Sequence, residues 1–369
     1  MCAARDLPSG GAGVERSLAL VVIARDEARC IERCLCSAAP YVDRMVVLDT
    51  GSKDATAELA RQCGAQVHHM RWTHSFADAR NRALAVCDAD WNLVLDADEW
   101  VESWDPQLRR RLAGPCFVGR LRIDSAFGEG RALGVASDWV TRLLPRGVRY
   151  VGDVHEQPVS NWPCERVPIV IGHDGYTPCL LKAKQGRNRS MLTSALAQGE
   201  GVDPYTLYQL GKDFEVYGEF SEAAHHYQKA LDTAPSTAPY RHSLTVRCMH
   251  CLGQSGRLEE AFALASDAMG EWAESPDYQF TLGNLCLDAA VVYPQDALAQ
   301  WLPMAQAAWL RCLEIGERPE LDGSVMGRGS YLAAHNLQVI LEGQGDREGA
   351  HRYGALGRQL RQDPRQPAV

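Results

Sequence analysis

Two aspartates separated by one residue, Asp96 and Asp98, directly follow the apolar segment WNLVL. In an extended turn, carboxylates at this spacing can point toward one divalent cation. A cation held there would stabilise the negative charge that develops on a departing diphosphate group. The alternative is a solvated acidic turn, which accounts for most isolated pairs of this kind. The position of the pair at the end of an apolar strand favours the functional interpretation.

A second acidic motif, DTGSKDAT, begins at Asp49 and also follows an apolar segment, MVVL. Ser52 or Asp54 can cap the helix that follows, and Gly51 can serve the turn. Capping leaves Asp49 unexplained at the end of its strand. A carboxylate at that position could accept hydrogen bonds from a nucleotide base or a ribose, so we expect a nucleotide site there.

The segments around these motifs alternate between strands and helices. Apolar runs predict strands at residues 18–24, 45–48, 65–69 and 91–95, and helical patterns follow at 27–38, 54–63 and 76–86. This alternation predicts an α/β domain whose parallel sheet is covered by helices on both faces. Ligands bind such sheets beyond the carboxyl ends of the strands, which is where both acidic motifs lie.

From residue 205 onward the pattern becomes helical and fits a 34-residue tetratricopeptide template. Small residues at the template positions let two antiparallel helices approach, and aromatic residues fill the space between them. The first copy has matching residues at Leu207, Leu210, Gly211, Phe214, Gly218, Ala223, Tyr227, Ala230 and Pro235. Weaker copies are marked by Leu252 and Gly256, by Leu282 and Gly283, and by Leu337 and Gly345. The sequence therefore predicts an all-α repeat domain.

The length of 369 residues favours two domains, and the net charge of −9 gives no general attraction to nucleic acid. No apolar run approaches the roughly 20 residues that span a bilayer, and residues 1–16 lack the apolar region of a signal peptide. The 13 cysteines include a lone C-x-x-C at Cys248 and Cys251, without two further ligands at zinc-site spacing. We therefore expect reduced thiols and a cytoplasmic protein.

Several motifs in this order resemble family 2 glycosyltransferases of the GT-A fold: VVIARDE, VVLDTGSKDAT, SFADARNRAL and WNLVLDADEW. The chain is similar in particular to the branch that carries tetratricopeptide repeats and includes S-linked peptide glycosyltransferases of the sublancin type. RLLPRGVRYVGDVHEQP, IGHDGY and KQGRNRS also resemble segments of that branch. The resemblance extends from Leu18 to about Pro235. Each motif alone is weakly specific, but their order and spacing together are specific.

The resemblance implies roles for individual residues. It assigns Asp49 and Asp54 to the nucleotide-sugar pocket, with Arg80 and Asn81 supporting that pocket from the next helix. Thr50 stands where the commonest family pattern has a second acid, and the tetratricopeptide branch shares this departure.

A divalent metal, Mn²⁺ or Mg²⁺, is also implied by the resemblance. Asp98 would be its main ligand, with Asp96 on the metal or the ribose and His155 on the metal or the diphosphate. Histidine suits a Mn²⁺-like ion beside two carboxylates. Members of the family invert the anomeric carbon, which requires a base to deprotonate the acceptor. Glu156 is the candidate base, so Asp98 and Glu156 are the expected catalytic residues.

The remaining histidines do not belong to these motifs. His173 follows the strand-like run PIVIG and could be structural or part of the site. We interpret the others as structural, namely His68, His69, His225 and His226.

We expect a flexible tail at 1–16, a GT-A domain at 17–180, a linker helix at 181–200 and tetratricopeptide-like repeats at 201–369. The expected function is transfer of a sugar from a nucleotide-sugar, a UDP-sugar above all, to a peptide or protein side chain. The repeats would bind the acceptor or a second subunit, because repeat grooves commonly bind extended peptides.

Other functions remain open at this point. The acceptor could be a glycan such as the lipopolysaccharide core, and a modified DNA base fits the acidic balance less well. A nucleotidyltransferase could also use paired acids with a metal, but it would normally have a Gly-rich loop and a lysine where this chain has Arg25. A non-catalytic repeat scaffold is disfavoured by the intact acidic motifs.

Overall fold

The computed structural model describes residues 16–128, 134–152, 156–176, 189, 192, 193 and 203–362. Contacts divide the chain into two compact units, one of Met1–Ile123 with Val140–His173 and one of Asp124–Trp139 with Asp174–Val369. The expected boundary at residue 180 and most of the expected linker helix lie outside the described residues. Asp124–Trp139, expected in the first domain, belongs to the second unit.

The first unit is built on a sheet with the strand order β3-β2-β1-β4-β7-β6-β10-β5. Strands β1 to β4 are parallel to their neighbours within this group, whereas β7 is antiparallel to β4 and β5 is antiparallel to β10. Strands β8 and β9 form a separate antiparallel ribbon. The strands are β1 Leu18–Ala24, β2 Arg44–Asp49, β3 Gln66–His69, β4 Trp91–Asp96, β5 Glu99–Trp104, β6 Val118–Phe127, β7 Gly134–Pro145, β8 Arg149–Val151, β9 Gln157–Val159 and β10 Cys164–Tyr176.

Strand β1 is covered on both faces, which explains its continuous apolar run. Leu20 packs into a cluster that includes α1, and Val21 packs into a second cluster that includes α3. The helices of this unit are α1 Ile31–Ala38, α2 Thr56–Gln62, α3 Phe76–Cys87 and α4 Leu108–Leu112. The predicted parallel-rich α/β fold is thus confirmed.

The second unit contains four consecutive helix pairs among its described residues, and the predicted repeat fold is confirmed. These helices are α5 Pro204–Val216, α6 Phe220–Thr233, α7 Arg241–Gln254, α8 Leu258–Trp272, α9 Pro276–Val292, α10 Leu302–Ile315, α11 Tyr331–Gln344 and α12 Arg347–Gln362. No helix in the described part of the chain is long and apolar enough to cross a membrane.

A short strand between α10 and α11, β11 at Ser324–Val325, pairs with Ser137 and Ala136 of β7. Asp322, just before β11, accepts a hydrogen bond from the Trp139 backbone N–H at 2.9 Å. The Trp139 indole also donates to the Pro319 carbonyl at 2.9 Å. These contacts are the physical reason that Asp124–Trp139 groups with the helices, a pairing that no local pattern in the sequence indicates.

Gly211 of α5 provides a test of the helix packing, because a Cβ at this position would overlap the fully buried ring of Tyr227 on α6. We expect Gly211→Ala to lower the free energy of unfolding by about 1–3 kcal/mol, since the crowded ring has nowhere to move. Gly270→Ala on α8 is the matched control, because nothing lies within 4 Å of its Cβ position. The control should be neutral or stabilising by up to about 1 kcal/mol. Urea unfolding followed by circular dichroism measures both, and equal effects would contradict the packing argument.

Candidate functional site

Asp49 lies at the carboxyl end of β2 and is only 4% exposed. Its carboxylate accepts hydrogen bonds from the backbone N–H groups of Gly51 and Ser52, and His69 Nδ1 lies 3.1 Å from Oδ2. Burial alone would raise the pKa of Asp49, but the hydrogen bonds from Ser52 and His69 lower it below its ordinary value. Asp49 is therefore an ordered anion at the strand end.

His69, which we interpreted as structural from the sequence, contacts Asp49 because β2 and β3 are parallel and in register at these two residues. This contact could have been predicted from the sequence, because His69 ends one predicted strand and Asp49 directly follows the predicted strand before it.

Asp54 sits in the loop before α2 and its side chain is exposed. It accepts hydrogen bonds from Ala28 N at 3.1 Å and from Thr56 N at 3.0 Å, as well as from the Thr56 hydroxyl. Nearby, Asp26 accepts from Lys53 N at 2.7 Å. These bonds join the loop after β1 to the loop after β2. Asp54 thus orders the loops around the site, and a contact with nucleotide remains a prediction.

Asp96 ends β4 between two guanidinium groups. Arg80 of α3 donates through Nη2 to Oδ1 at 2.6 Å, and Arg142 of β7 donates through Nη2 to Oδ2 at 2.6 Å. Glu99 accepts from the Asp96 backbone N–H at 2.8 Å and from Arg142 at 3.3 Å. In this structure both oxygens of Asp96 are thus engaged by arginine.

Electrostatic effects inside this cluster have opposite signs. Burial would raise the pKa of Asp96, but Arg142 and Arg80 hold it well below its usual range. Burial raises the pKa of Glu99 despite the attraction of Arg142. Burial alone would lower the pKa of Arg80, but the negative charges of Asp96 and Glu156 outweigh this effect and raise it above its ordinary value. The cluster therefore keeps both arginines charged and Asp96 ionised.

Glu156 and Asn81 are linked to the cluster through α3. Arg80 donates from Nε to Glu156 Oε1, and its guanidinium lies 5.5 Å from the centre of the Tyr150 ring. Asn81 donates to the Tyr150 carbonyl at 2.9 Å and accepts from the Tyr150 N–H at 2.8 Å. Asn81 therefore fastens β8 to α3, which fits a supporting role, and Arg80 orients the candidate base.

Asp98 lies near His173 of β10, with 3.5 Å between Oδ2 and Nε2. The antiparallel pairing of β5 and β10 brings His173 opposite Glu99, one residue after Asp98. Both side chains are mostly buried. His173 therefore lies beside the acidic motif, and its participation in the chemistry stays a prediction.

Within the described ranges, no group of three or more His, Cys, Asp or Glu side chains is arranged to hold a metal. His155, the expected third ligand, lies outside the described residues. Asp98 and His173 offer a carboxylate and an imidazole, a donor pair that suits Mn²⁺. The chemistry of this pair fits a divalent cation whose other ligands come from water or substrate.

Three buried polar atoms near the cluster have no hydrogen-bond partner in the described part of the chain, namely Arg80 Nη1, Arg142 Nε and Tyr150 Oη. Buried polar groups are normally paired, so such a concentration is characteristic of a functional site. Arg142 is the first residue of the segment RLLPRGVRYVGDVHEQP, so the family resemblance was the signal available, but no local pattern predicted its contact with Asp96.

Arg142 provides a stability test of the cluster. Replacing it with Met removes the guanidinium group that Asp96 and Glu99 share. We therefore expect the free energy of unfolding at pH 7 to fall by about 3–5 kcal/mol. Because the pKa of Asp96 is depressed in the folded protein, its stabilising contribution is present above the unfolded pKa and is lost as the pH falls through the folded pKa. The difference in the free energy of unfolding between the wild type and Arg142→Met should therefore shrink below about pH 4.

The control is Arg146→Met, which removes an exposed arginine paired with Asp88. We expect it to cost less than about 1 kcal/mol. Urea unfolding at several pH values compares the two variants. A similar cost for both, or a deficit for Arg142→Met that does not change with pH, would contradict the cluster described above.

Comparison with known proteins agrees with this geometry. Residues 19–131 match the family model described as glycosyl transferase family 2. A TPR repeat-containing protein of Synechococcus elongatus is 31% identical over 281 residues, which span 71% of this chain and 68% of the relative. Glycosyltransferase SunS of Bacillus phage SPbeta is 24% identical over 255 residues, which span 65% of this chain but only 60% of SunS.

Among solved structures, glucosyl-3-phosphoglycerate synthase from Mycobacterium tuberculosis shares 26% identity over 31% of this chain and 46% of that chain, with a TM-score of 0.25. That similarity is local. The family assignment depends instead on the family model and on the Synechococcus relative, whose match spans 71% of this chain. The chain belongs to the family 2 glycosyltransferases that carry tetratricopeptide repeats.

Proposed function

We propose that this glycosyltransferase transfers a sugar from a nucleoside diphosphate sugar, such as a UDP-sugar, to a peptide or protein side chain, with inversion at the anomeric carbon. The observation that carries the proposal is the placement of Asp49 at the end of β2 and of Asp98 in the turn after β4, two parallel strands on either side of β1, with His69 and His173 beside them. This edge is where α/β sheets bind nucleotides.

The donor nucleotide would contact Asp49, whose low pKa keeps it a hydrogen-bond acceptor for ribose or base. Asp54 and the backbone bonds it makes would hold the surrounding loops in a fixed shape, which reduces the entropy lost on binding.

The charge of the site supports a divalent cation. Three carboxyl groups, those of Asp96, Glu99 and Glu156, pair with the two guanidinium groups of Arg80 and Arg142. Asp98, next to this cluster in the sequence, adds a fourth carboxyl group beside His173. A diphosphate would be repelled by this excess of acid unless further positive charge accompanies it. Asp98 and His173 would hold the cation, which when bound neutralises charge on the leaving diphosphate.

Asp96 has a different role in this proposal from that of a metal ligand. It keeps Arg80 and Arg142 in place, and Arg80 in turn orients Glu156. Since Arg80 engages Oε1, Glu156 would use Oε2 to take the proton of the acceptor as the sugar is transferred.

The acceptor would bind to the face formed by the first helices of the pairs, α5, α7, α9 and α11. Exposed apolar side chains on these helices include Val216, Leu287 and Val339. Such a surface suits an extended peptide better than a polar glycan, because burying these apolar side chains against the peptide's own apolar side chains stabilises the complex.

The experiment that tests the function offers the purified chain a panel of UDP-sugars with Mn²⁺, and acceptors that are either Cys-, Ser- and Thr-containing peptides or lipopolysaccharide core oligosaccharide. UDP release and mass spectrometry of the acceptors are the readouts. Transfer to peptides supports the proposal. Transfer only to the oligosaccharide would move the function to glycan synthesis, and absence of UDP release from every donor would refute glycosyl transfer.

The role of Asp98 predicts a loss of turnover on mutation. Asp98→Asn keeps the size of the side chain but removes the charge, so UDP release and transfer should fall on the order of a hundredfold or more. Glu102→Gln on β5, the strand that begins directly after Asp98, is the control, because Glu102 is exposed and should not change turnover. Activity that survives an excess of EDTA would show that the cation is not needed.

The role of Glu156 predicts a different pattern. Glu156→Gln removes the proton acceptor, so transfer should fall by about 10² to 10⁴ while binding of the donor persists. For a cysteine acceptor, which is partly ionised near neutral pH, the loss should be smaller. Isothermal titration with UDP and single-turnover transfer separate the two steps. If transfer is unchanged, the base is another acid, with Asp138 and Asp153 as the next candidates.

A further inference from the structure

A small cavity lies between α7 and α9, on the face formed by the first helices of the repeats. Its volume is about 150 Å³, and its polar lining includes His250, Gln254, Asn284 and Asp288. Binding sites for whole small molecules usually measure about 300–1,000 Å³. This cavity is therefore of a size to take one side chain of a larger ligand.

Asp288 is the unusual group in this cavity. It is partly buried, and it makes neither a hydrogen bond nor an ion pair with any residue that the structure describes. The other carboxylate of α9, Asp277, pairs with Arg328 at 3.1 Å, and Glu215 of α5 pairs with Arg247 of α7 at 2.8 Å. Burial raises the pKa of Asp288, because no cation offsets the lost hydration. A carboxylate in this state lacks a positively charged partner.

The neighbours of Asp288 do not supply that partner. His250 stands edge-on to Phe220 with 5.7 Å between the rings, and burial lowers the pKa of His250, so its ring is neutral near pH 7. Asn284 accepts a hydrogen bond from Asn336 of α11 at 3.2 Å. The cavity thus has one anion surrounded by neutral polar groups.

Gly253 of α7 lies close to Asp288. A Cβ at this position would overlap Leu285 and would lie 3.8 Å from Asp288 Oδ2. The backbone of α7 therefore runs close to the carboxylate, and the absence of a side chain at Gly253 leaves room beside it. Leu287 is 40% exposed and lines the same cavity. It can pack against the aliphatic stem of a long side chain while the charged end pairs with Asp288.

We propose that this cavity binds a lysine or arginine side chain of the acceptor peptide and pairs its charge with Asp288, an inference that rests on the proposed peptide glycosylation. The site would make the enzyme select acceptors that carry a basic residue. Gln254, which is exposed at the rim, would hydrogen-bond the peptide backbone there.

Binding can be tested without catalysis. Fluorescein-labelled five-residue peptides with Lys, Arg or norleucine at the centre and Ala elsewhere are titrated against the full chain, and anisotropy gives Kd. Norleucine keeps the aliphatic stem and removes the charge. The Lys and Arg peptides should bind about tenfold or more tightly than the norleucine peptide, as expected for a charge-assisted hydrogen bond.

Two variants assign that preference to the cavity. Asp288→Asn should abolish the preference for Lys and Arg, whereas Asp267→Asn, which changes an exposed aspartate on α8, should keep it. UDP release without peptide should be unchanged in both variants. Equal affinity for Lys and norleucine peptides, no measurable binding of any peptide up to about 1 mM, or a preference retained in Asp288→Asn would each overturn the inference.

Transfer assays on a peptide library separate this inference from the proposed function. In the wild-type chain, modified peptides should be enriched in Lys or Arg, and Asp288→Asn should raise KM for them about tenfold with kcat unchanged. If peptides are modified without this enrichment, the function holds and the site is refuted. If no peptide is modified while the binding preference is lost in Asp288→Asn, the site stands and the proposed acceptor is wrong.

Discussion

The buried ion cluster around Asp96 is the interaction on which the candidate site depends. Arg80 reaches it from α3 and Arg142 reaches it from β7, so one carboxylate connects a helix to an antiparallel strand at the end of β4. Taking these charges out of water is costly, and only close pairing compensates for it. Each member of the cluster is therefore held in one geometry by the others.

That constraint extends to groups that do not touch Asp96. Arg80 also engages Glu156, and the next residue, Asn81, fastens the backbone at Tyr150. Asp98 is left outside the cluster, beside His173. A charged cluster held by close ion pairs, next to a carboxylate and an imidazole, is the arrangement expected of a preorganised site, in which dipoles and charges need not move as the reaction proceeds.

Much of the fold could be predicted because the relevant signals are local. The run at β1 is apolar on both faces, and the repeat positions at Gly211 and Tyr227 follow directly from the packing of two helices. Parallel strands that end together also placed Asp49 and Asp98 at one edge of the sheet. These inferences needed only periodicity and the general rule for where α/β sheets bind ligands.

The site residues that the sequence analysis did not assign come from strand pairings that local patterns do not encode. Arg142 and His173 reach the site on antiparallel strands, and their register depends on contacts between distant segments. Contact of Asp96 with a metal or with the ribose stays a prediction. The two arginines that engage its carboxylate could not be predicted from the acidic motif alone.

The pairing of β11 with β7 also has a consequence for the order in which the chain can be completed during synthesis. The Trp139 backbone is bonded to Asp322, 183 residues later. At translation rates of about 5–20 residues per second, the partner of this segment emerges roughly 10 to 40 s after it. The helix pairs close over short loops and can form as they appear. The start of β7, up to Trp139, must instead wait for its partner β11, with its edge available to other chains, until almost 90% of the chain has been synthesised.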